Sequence, residues 1–323
     1  MNKSTLKYIG KRLLISAATL LIIVAILFLM LKLMPGTPFN DEKLTETQIE
    51  AIYEKYGLDQ PVYVQFVTYV GNMLQGDFGE SYSVNKGYQV IDMVLPRIGL
   101  SFGIGIAAVI LGTLIGVMLG IFAALRKNTI WDSLATAFAV LGVSVPSFVF
   151  ALLLLLLFGL QLPAWFNLDS ALLPIRYDSS NMIMSLVLPV IALSLSVVAN
   201  VARFTRSEMI SVMASDYIAL AEAKGLDRGT VIRKHAIRNT LIPIITILGP
   251  IMVNLMTGSM VLEQIFSIPG LGSLLIKSIQ SNDYNVVMAV SFLYSVLYVV
   301  MMLVIDISYG IIDPRIRLGK GDK

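Results

Sequence analysis

Six runs of predominantly apolar residues dominate this sequence, near 13–34, 98–125, 134–158, 183–204, 240–262 and 286–308. A helix needs about 20 such residues to cross roughly 30 Å of hydrocarbon. Each run meets that length, and backbone polar groups in lipid must be satisfied internally, so the runs predict an all-α integral membrane protein. Composition agrees, with 56% hydrophobic and only 14% charged residues, against about 25% charged in soluble domains. The first run follows Lys7, Lys11 and Arg12 as a secretory signal would. It is too long for a signal core, and no small-x-small site precedes Pro35, so it reads as a retained span.

Lys and Arg orient the spans. Residues 1–12 carry four, Arg126 and Lys127 two, the segment Arg203 to Arg238 seven, and the chain after Gly310 four, which is seventeen of the 24. Cytoplasmic flanks are enriched in these residues, so both termini are expected inside. Segment 35–97 is then extracytoplasmic and contains two helix signals. Thr45 and Gln48 form a capping box before Ile49, Ile52, Tyr53 and Tyr56, with Gly57 as the stop; Pro61 opens a second helix with Phe66, Tyr69, Val70 and Met73 on one face. The expected organisation is a tail and first span (1–34), an external helical cap (35–97), a five-helix core (98–308) and a C-terminal tail (309–323).

Several chemistries lack their residues. Zero Cys excludes disulfides and thiolate chemistry, and a single His excludes a histidine metal cluster. Net charge of +3 gives no support to nucleic-acid binding. The string Gly270 to Ser278 lacks the Gly that a phosphate-binding loop places before its Lys, so no ATP site is expected in the chain. His235 has no carboxylate or nucleophile at helical spacing and reads as structural. No ionisable residue occupies the centre of a span, whereas ion-driven carriers generally place such groups there. The mildly polar residues Asn200, Asn254, Thr257, Ser291 and Tyr294 are candidates for a pathway wall; helix–helix hydrogen bonding is the alternative.

The cytoplasmic segment 203–239 carries the most distinctive pattern. Ser215 or Asp216 caps a short helix that Gly225 ends; Ala219, Glu222 and Ala223 share one face, and Tyr217, Leu220, Ala221 and Lys224 another. Asp227 caps a second helix. Small side chains here would permit close approach by another protein.

This loop resembles the EAA loop of ABC-importer permease subunits in its peptide-permease form: Ala221-Glu222-Ala223-Lys224-Gly225-Leu226, then His235-Ala236-Ile237-Arg238-Asn239 and Pro243. The resemblance continues through Pro35-Gly36-Thr37-Pro38, Tyr56-Gly57-Leu58-Asp59-Gln60-Pro61, Gly76-Asp77-Phe78-Gly79-Glu80-Ser81, Pro269-Gly270-Leu271-Gly272, Asp283-Tyr284 and Asp313-Pro314-Arg315. The chain departs from the general motif in having Ala219 six residues before Gly225, with Glu222 at another turn position. A specific Glu contact is therefore not carried over.

The resemblance implies the type I ABC-importer permease fold in a bacterial or archaeal cell membrane. It implies a B-type subunit forming half a pathway for oligopeptides, with dipeptides, glutathione or nickel chelates as alternatives. The partners would be a C-type permease subunit, two cytoplasmic ATPases that bind ATP and Mg, an extracytoplasmic peptide-binding protein and membrane lipid, with no cofactor in this chain. Coupling falls to Ala219, Ala221, Glu222, Ala223, Gly225 and Leu226. An ion-coupled peptide carrier and a membrane scaffold are the competing classes.

Overall fold

The computed structural model describes residues 3–33 and 46–312. Thirteen α-helices follow in order: α1 (Lys3–Leu33), α2 (Glu46–Lys55), α3 (Val62–Leu74), α4 (Val90–Leu125), α5 (Ile130–Ser144), α6 (Ser147–Leu156), α7 (Leu162–Phe166), α8 (Met182–Met213), α9 (Asp216–Ala223), α10 (Arg228–Thr230), α11 (Arg238–Ile265), α12 (Leu271–Gln280) and α13 (Tyr284–Ile312). π-helical turns join α6 to α7 and α10 to α11. Six segments among the described residues are long and apolar enough to cross a membrane: Gly10–Leu33, Val90–Leu125, Ser147–Phe166, Ser179–Met213, Arg228–Met252 and Tyr284–Val304. Side chains such as Leu14, Ile22, Met30 and Ile183 stay exposed. In water that surface would be a liability; in a bilayer it faces its solvent.

The third span departs from the sequence expectation. Run 134–158 is not one helix, because α5 ends at Ser144 and a new helix starts after Pro146. Proline has no N–H to donate and disfavours the helical region in the residue before it. Val145 accordingly turns extended, at φ −84° and ψ 120°. The apolar α5 is only 15 residues long, and the crossing segment moves to Ser147–Phe166.

The chain divides into two compact units. One comprises the described residues of Met1–Leu100 and Pro269–Leu303, the other Ser101–Ile268 with α13 from Val304 onward. In the first, α3 rests on α1 through Phe28, whose ring meets Phe66 edge-on at 5.5 Å and Tyr69 at 6.3 Å. Of the apolar face expected on α3, Met73 is buried and Phe66, Tyr69 and Val70 are half-buried. Gly57 (φ +62°) stops α2, as expected, with Leu58 N–H bonded back to Tyr53 O at 2.8 Å. Thr45, the side chains of Gln48, Ile49 and Ile52, and the motifs at 35–38 and 313–315 lie outside the described residues.

In the second unit α8 is the central helix. Leu188, Ala192, Leu193, Val197, Ala199 and Val201 are fully buried. Gly112, Gly116 and Gly120 of α4, four residues apart, bring its backbone against α8. A Cβ on them would lie 2.5 Å from Val197 Cβ, 2.8 Å from Val201 Cβ and 2.5 Å from Thr205 Cβ respectively. Membrane helices lack a hydrophobic drive to associate and rely on such close approach.

Candidate functional site

The short helix α9 projects from the end of α8 and is anchored from beneath. Ile218 (1% exposed) and Ala221 (6%) point inward and pack with Met209, Val231 and Ala236. The outward face carries Tyr217, Ala219, Leu220, Glu222 and Ala223, all exposed. Ala221, expected among the coupling residues, is buried in this cluster and is not on the exposed face. An eight-residue helix is too short to stand alone in water, so this anchoring decides its stability.

Both ends of α9 are fixed by backbone geometry. Gly225 adopts φ +78°; its N–H bonds Glu222 O at 2.9 Å and the Leu226 N–H bonds Ala221 O at 3.4 Å. This is a Schellman termination, which needs a left-handed residue at the Gly225 position. At the start, Ser215 occupies the cap position without acting as one. Its hydroxyl donates to Val212 O at 2.6 Å, so the expected side-chain cap does not form. Asp227 does cap the following helix, accepting from Thr230 N–H at 2.9 Å. His235 is half-buried in the π-helical turn Val231–Ile237, which leads without a break into α11. A π turn inserts one residue per turn and re-aims the side chains that follow.

A cavity of about 730 Å³ opens in the same unit, among α4, α5, α8 and α11. Asn200, Arg203 and Ser207 of α8 line it with Thr246 and Pro250 of α11. Arg206 also reaches it, gripped by Asp132 of α5 in a two-pronged ion pair, Nε to Oδ1 at 2.5 Å and Nη2 to Oδ2 at 2.7 Å. Hydrogen bonding from that guanidinium, despite opposing burial, holds the Asp132 carboxyl below the usual carboxylate range. Of the five expected pathway residues only Asn200 is placed at this cavity. Ser291 and Tyr294 belong to the first unit, and the side chains of Asn254 and Thr257 lie outside the described residues. Sequence reasoning missed Arg203 and Arg206 here; their spacing of three and six residues from Asn200, which keeps all three on neighbouring turns of one helix, was the available signal.

In the first unit two distant motifs form one structure. The buried Asp283 carboxylate accepts from Ser81 Oγ at 2.5 Å and from the N–H groups of Tyr82 (3.1 Å), Ser83 (3.0 Å) and Val84 (2.9 Å). Asn285 Nδ2 donates to Glu80 O at 2.9 Å and lies where a Cβ on Gly79 (φ +77°) would fall. Burial pushes the neighbouring Tyr82 hydroxyl up to about 12. The string from Gly270, which superficially suggested a phosphate loop, is the start of α12, with Leu271, Leu274 and Leu275 buried.

Comparison with protein families resolves what these parts belong to. Residues 5–104 match the binding-protein-dependent transport system membrane component N-terminal model, and residues 116–318 match the model of the binding-protein-dependent transport system inner membrane component. The chain belongs to this inner membrane component family. Within it, the dipeptide transport system permease protein DppB of Lactococcus lactis subsp. cremoris is 45% identical over 312 residues, 97% of this chain and 99% of that protein. The oligopeptide transport system permease protein OppB of Haemophilus influenzae is 39% identical over 313 residues, with the same coverage of both chains. DppB of Bacillus subtilis is 39% identical over 315 residues, again covering 97% and 99%. As a family member with six apolar segments, the chain is a multi-pass membrane protein. The second match spans α9, its anchoring cluster and the cavity, and the first spans the loop that Asp283 holds.

Proposed function

We propose that this chain is the B-type permease subunit of an ATP-driven peptide importer, forming half of the translocation pathway with a C-type subunit. Two cytoplasmic ATPases, carrying the ATP and Mg, dock on α9 and its counterpart, and an extracytoplasmic binding protein delivers the peptide. The observation that supports this most is α9 itself: an exposed face on which Ala219, Leu220 and Ala223 stand beside Tyr217 and Glu222, on a helix fixed by Ile218, Ala221 and the Gly225 turn. Such a part transmits displacement, because a rigid body clamped at its base moves the elements it is clamped to. Its base is the end of α8 and the π-helical turn Val231–Ile237 that leads into α11.

Both relatives named for dipeptides and relatives named for oligopeptides cover the full subunit at similar identity. The substrate favoured here is an oligopeptide, with dipeptides as the second reading. Vesicles holding the complete complex are expected to import peptide with ATP supplied on the ATPase side and no ion gradient. Offering Ala-Ala and a hexapeptide in parallel separates the two readings. Import driven by a pH step without ATP would overturn the whole assignment.

The same proposal sets orientation, with both termini and α9 cytoplasmic. Lys86, Lys127 and Arg233 are all exposed, and the chain has no Cys of its own. A cysteine placed at 86 is expected to react with an impermeant maleimide on intact cells, and cysteines at 127 or 233 only after lysis. The reverse pattern would invert the subunit.

A further inference from the structure

The cavity lined by Asn200, Arg203 and Arg206 is chemically lopsided. Arg206 is neutralised by Asp132, but Arg203 makes no ion pair among the described residues. Its exposed guanidinium leaves one positive charge on the lining of a cavity whose other walls include Leu119, Ala139, Val140 and Ile247. Two of the polar side chains on the cavity's walls bond back to their own helices. Asn200 Nδ2 donates to Ser196 O at 2.8 Å and Thr246 Oγ1 to Pro243 O at 2.5 Å. Arg203 stands ten residues before the end of α8, on the side where the basic α9–α11 segment lies.

From this pairing we infer that the cavity binds an anionic phospholipid, with its phosphate on Arg203 and the upper part of an acyl chain along the apolar walls. A planar guanidinium suits phosphate oxygens, and basic pockets between spanning helices on the cytoplasmic side are suited to acidic headgroups. The volume of about 730 Å³ is that of an ordinary ligand site. A peptide fits less well. Each of its residues brings an N–H and a C=O that need partners, and the walls are mostly apolar. A free phosphate would leave those walls unused. The inference goes beyond peptide transport; it rests on the chain spanning a membrane with α9 on the cytoplasmic side, as proposed above.

The test uses the complete complex in nanodiscs of equal phosphatidylcholine and phosphatidylglycerol, extracted into detergent, with lipids counted by native mass spectrometry. Wild type is expected to retain phosphatidylglycerol over phosphatidylcholine. Arg203→Ala should lower that preference about tenfold, as loss of one charge-assisted contact predicts. Arg203→Lys should keep most of it, and Lys127→Ala, exposed on the same side, should keep all of it. Circular dichroism of Arg203→Ala and Arg203→Gln checks that the helices persist. The idea fails if wild type shows no preference or if both folded Arg203 variants keep it. It also fails if inorganic phosphate displaces the lipid, which would mark a simple anion site. Displacement by a free-carboxylate peptide but not its amide would equally overturn it, by marking a peptide subsite.

Discussion

An Ala223→Asp subunit is expected to insert and fold normally yet lose its ATPases. Ala223 is exposed on α9 and takes no part in the cluster beneath it, so a carboxylate there costs the isolated subunit little. In a docked interface the same carboxylate would be desolvated without a partner, and such changes at an interface centre reach hot-spot size. ATPase co-purification and peptide-stimulated turnover should fall tenfold or more, roughly the effect of a 1.4 kcal/mol loss. Gly225→Val acts on the same function through the backbone. There is open space around Gly225, so nothing clashes. The penalty is the left-handed conformation at φ +78°, about 1–2 kcal/mol and more for a β-branched residue. It should loosen the end of α9 and weaken coupling. Ala221→Asp supplies the contrast. It buries a charge beside Met209 and Val231, so proteolysis at 214–227 should accelerate before any ATPase is added. If Ala223→Asp retains its ATPases and normal turnover, α9 is not the docking element.

The double change Gly116→Leu with Gly120→Leu is expected to abolish accumulation of folded subunit. At Gly116 a Cβ would meet Val198 O at 2.9 Å, and at Gly120 it would meet Ala202 O at 2.6 Å. These are backbone atoms that cannot rotate aside. Overpacking typically costs about 1–3 kcal/mol per site, and two adjacent sites in one seam would remove a large share of a domain's stability. Gly105→Leu is the control, because a Cβ there meets nothing within 4 Å. Fluorescence-detected size-exclusion chromatography should show a monodisperse peak for the control and aggregate or no peak for the double variant. A normal peak for the double variant would mean that α4 does not pack on α8 through this seam.

Much of the architecture was legible because membrane physics makes hydropathy nearly sufficient. The stop at Gly57, the opening of α3 after Pro61 and the left-handed Gly225 follow from residues whose backbone preferences outweigh context. The third run misled because hydropathy does not register a missing N–H, and Pro146 breaks what Leu and Val would continue. The burial of Ala221 was not legible because alanine is equally at home inside and outside; only the positions of Met209 and Val231 decide it. The cap expected of Ser215 failed because its hydroxyl had a competing acceptor in the last turn of α8. Arg203 escaped notice among seven basic residues in its segment, and only the cavity beside it sets it apart. The glycine seam of α4 went unread: Gly112, Gly116 and Gly120 stand four residues apart in the string, but nothing there names α8 as their partner.

The four bonds collected by Asp283 also impose a timetable on biosynthesis. Their donors at 81–84 are made some 199–202 residues before the acceptor. At roughly 5–20 residues per second, the ribosome takes on the order of 10–40 s to supply it. During that interval the N–H groups of Tyr82, Ser83 and Val84 and the Ser81 hydroxyl lack this acceptor and must be left to water, while local bonds such as Ser81 N–H to Tyr88 O are already available. A chain stalled or cut anywhere before Asp283 therefore presents an unlatched loop, whereas a finished one hides it. The latch distinguishes a completed subunit from an incomplete one at the moment when partner chains would first encounter it.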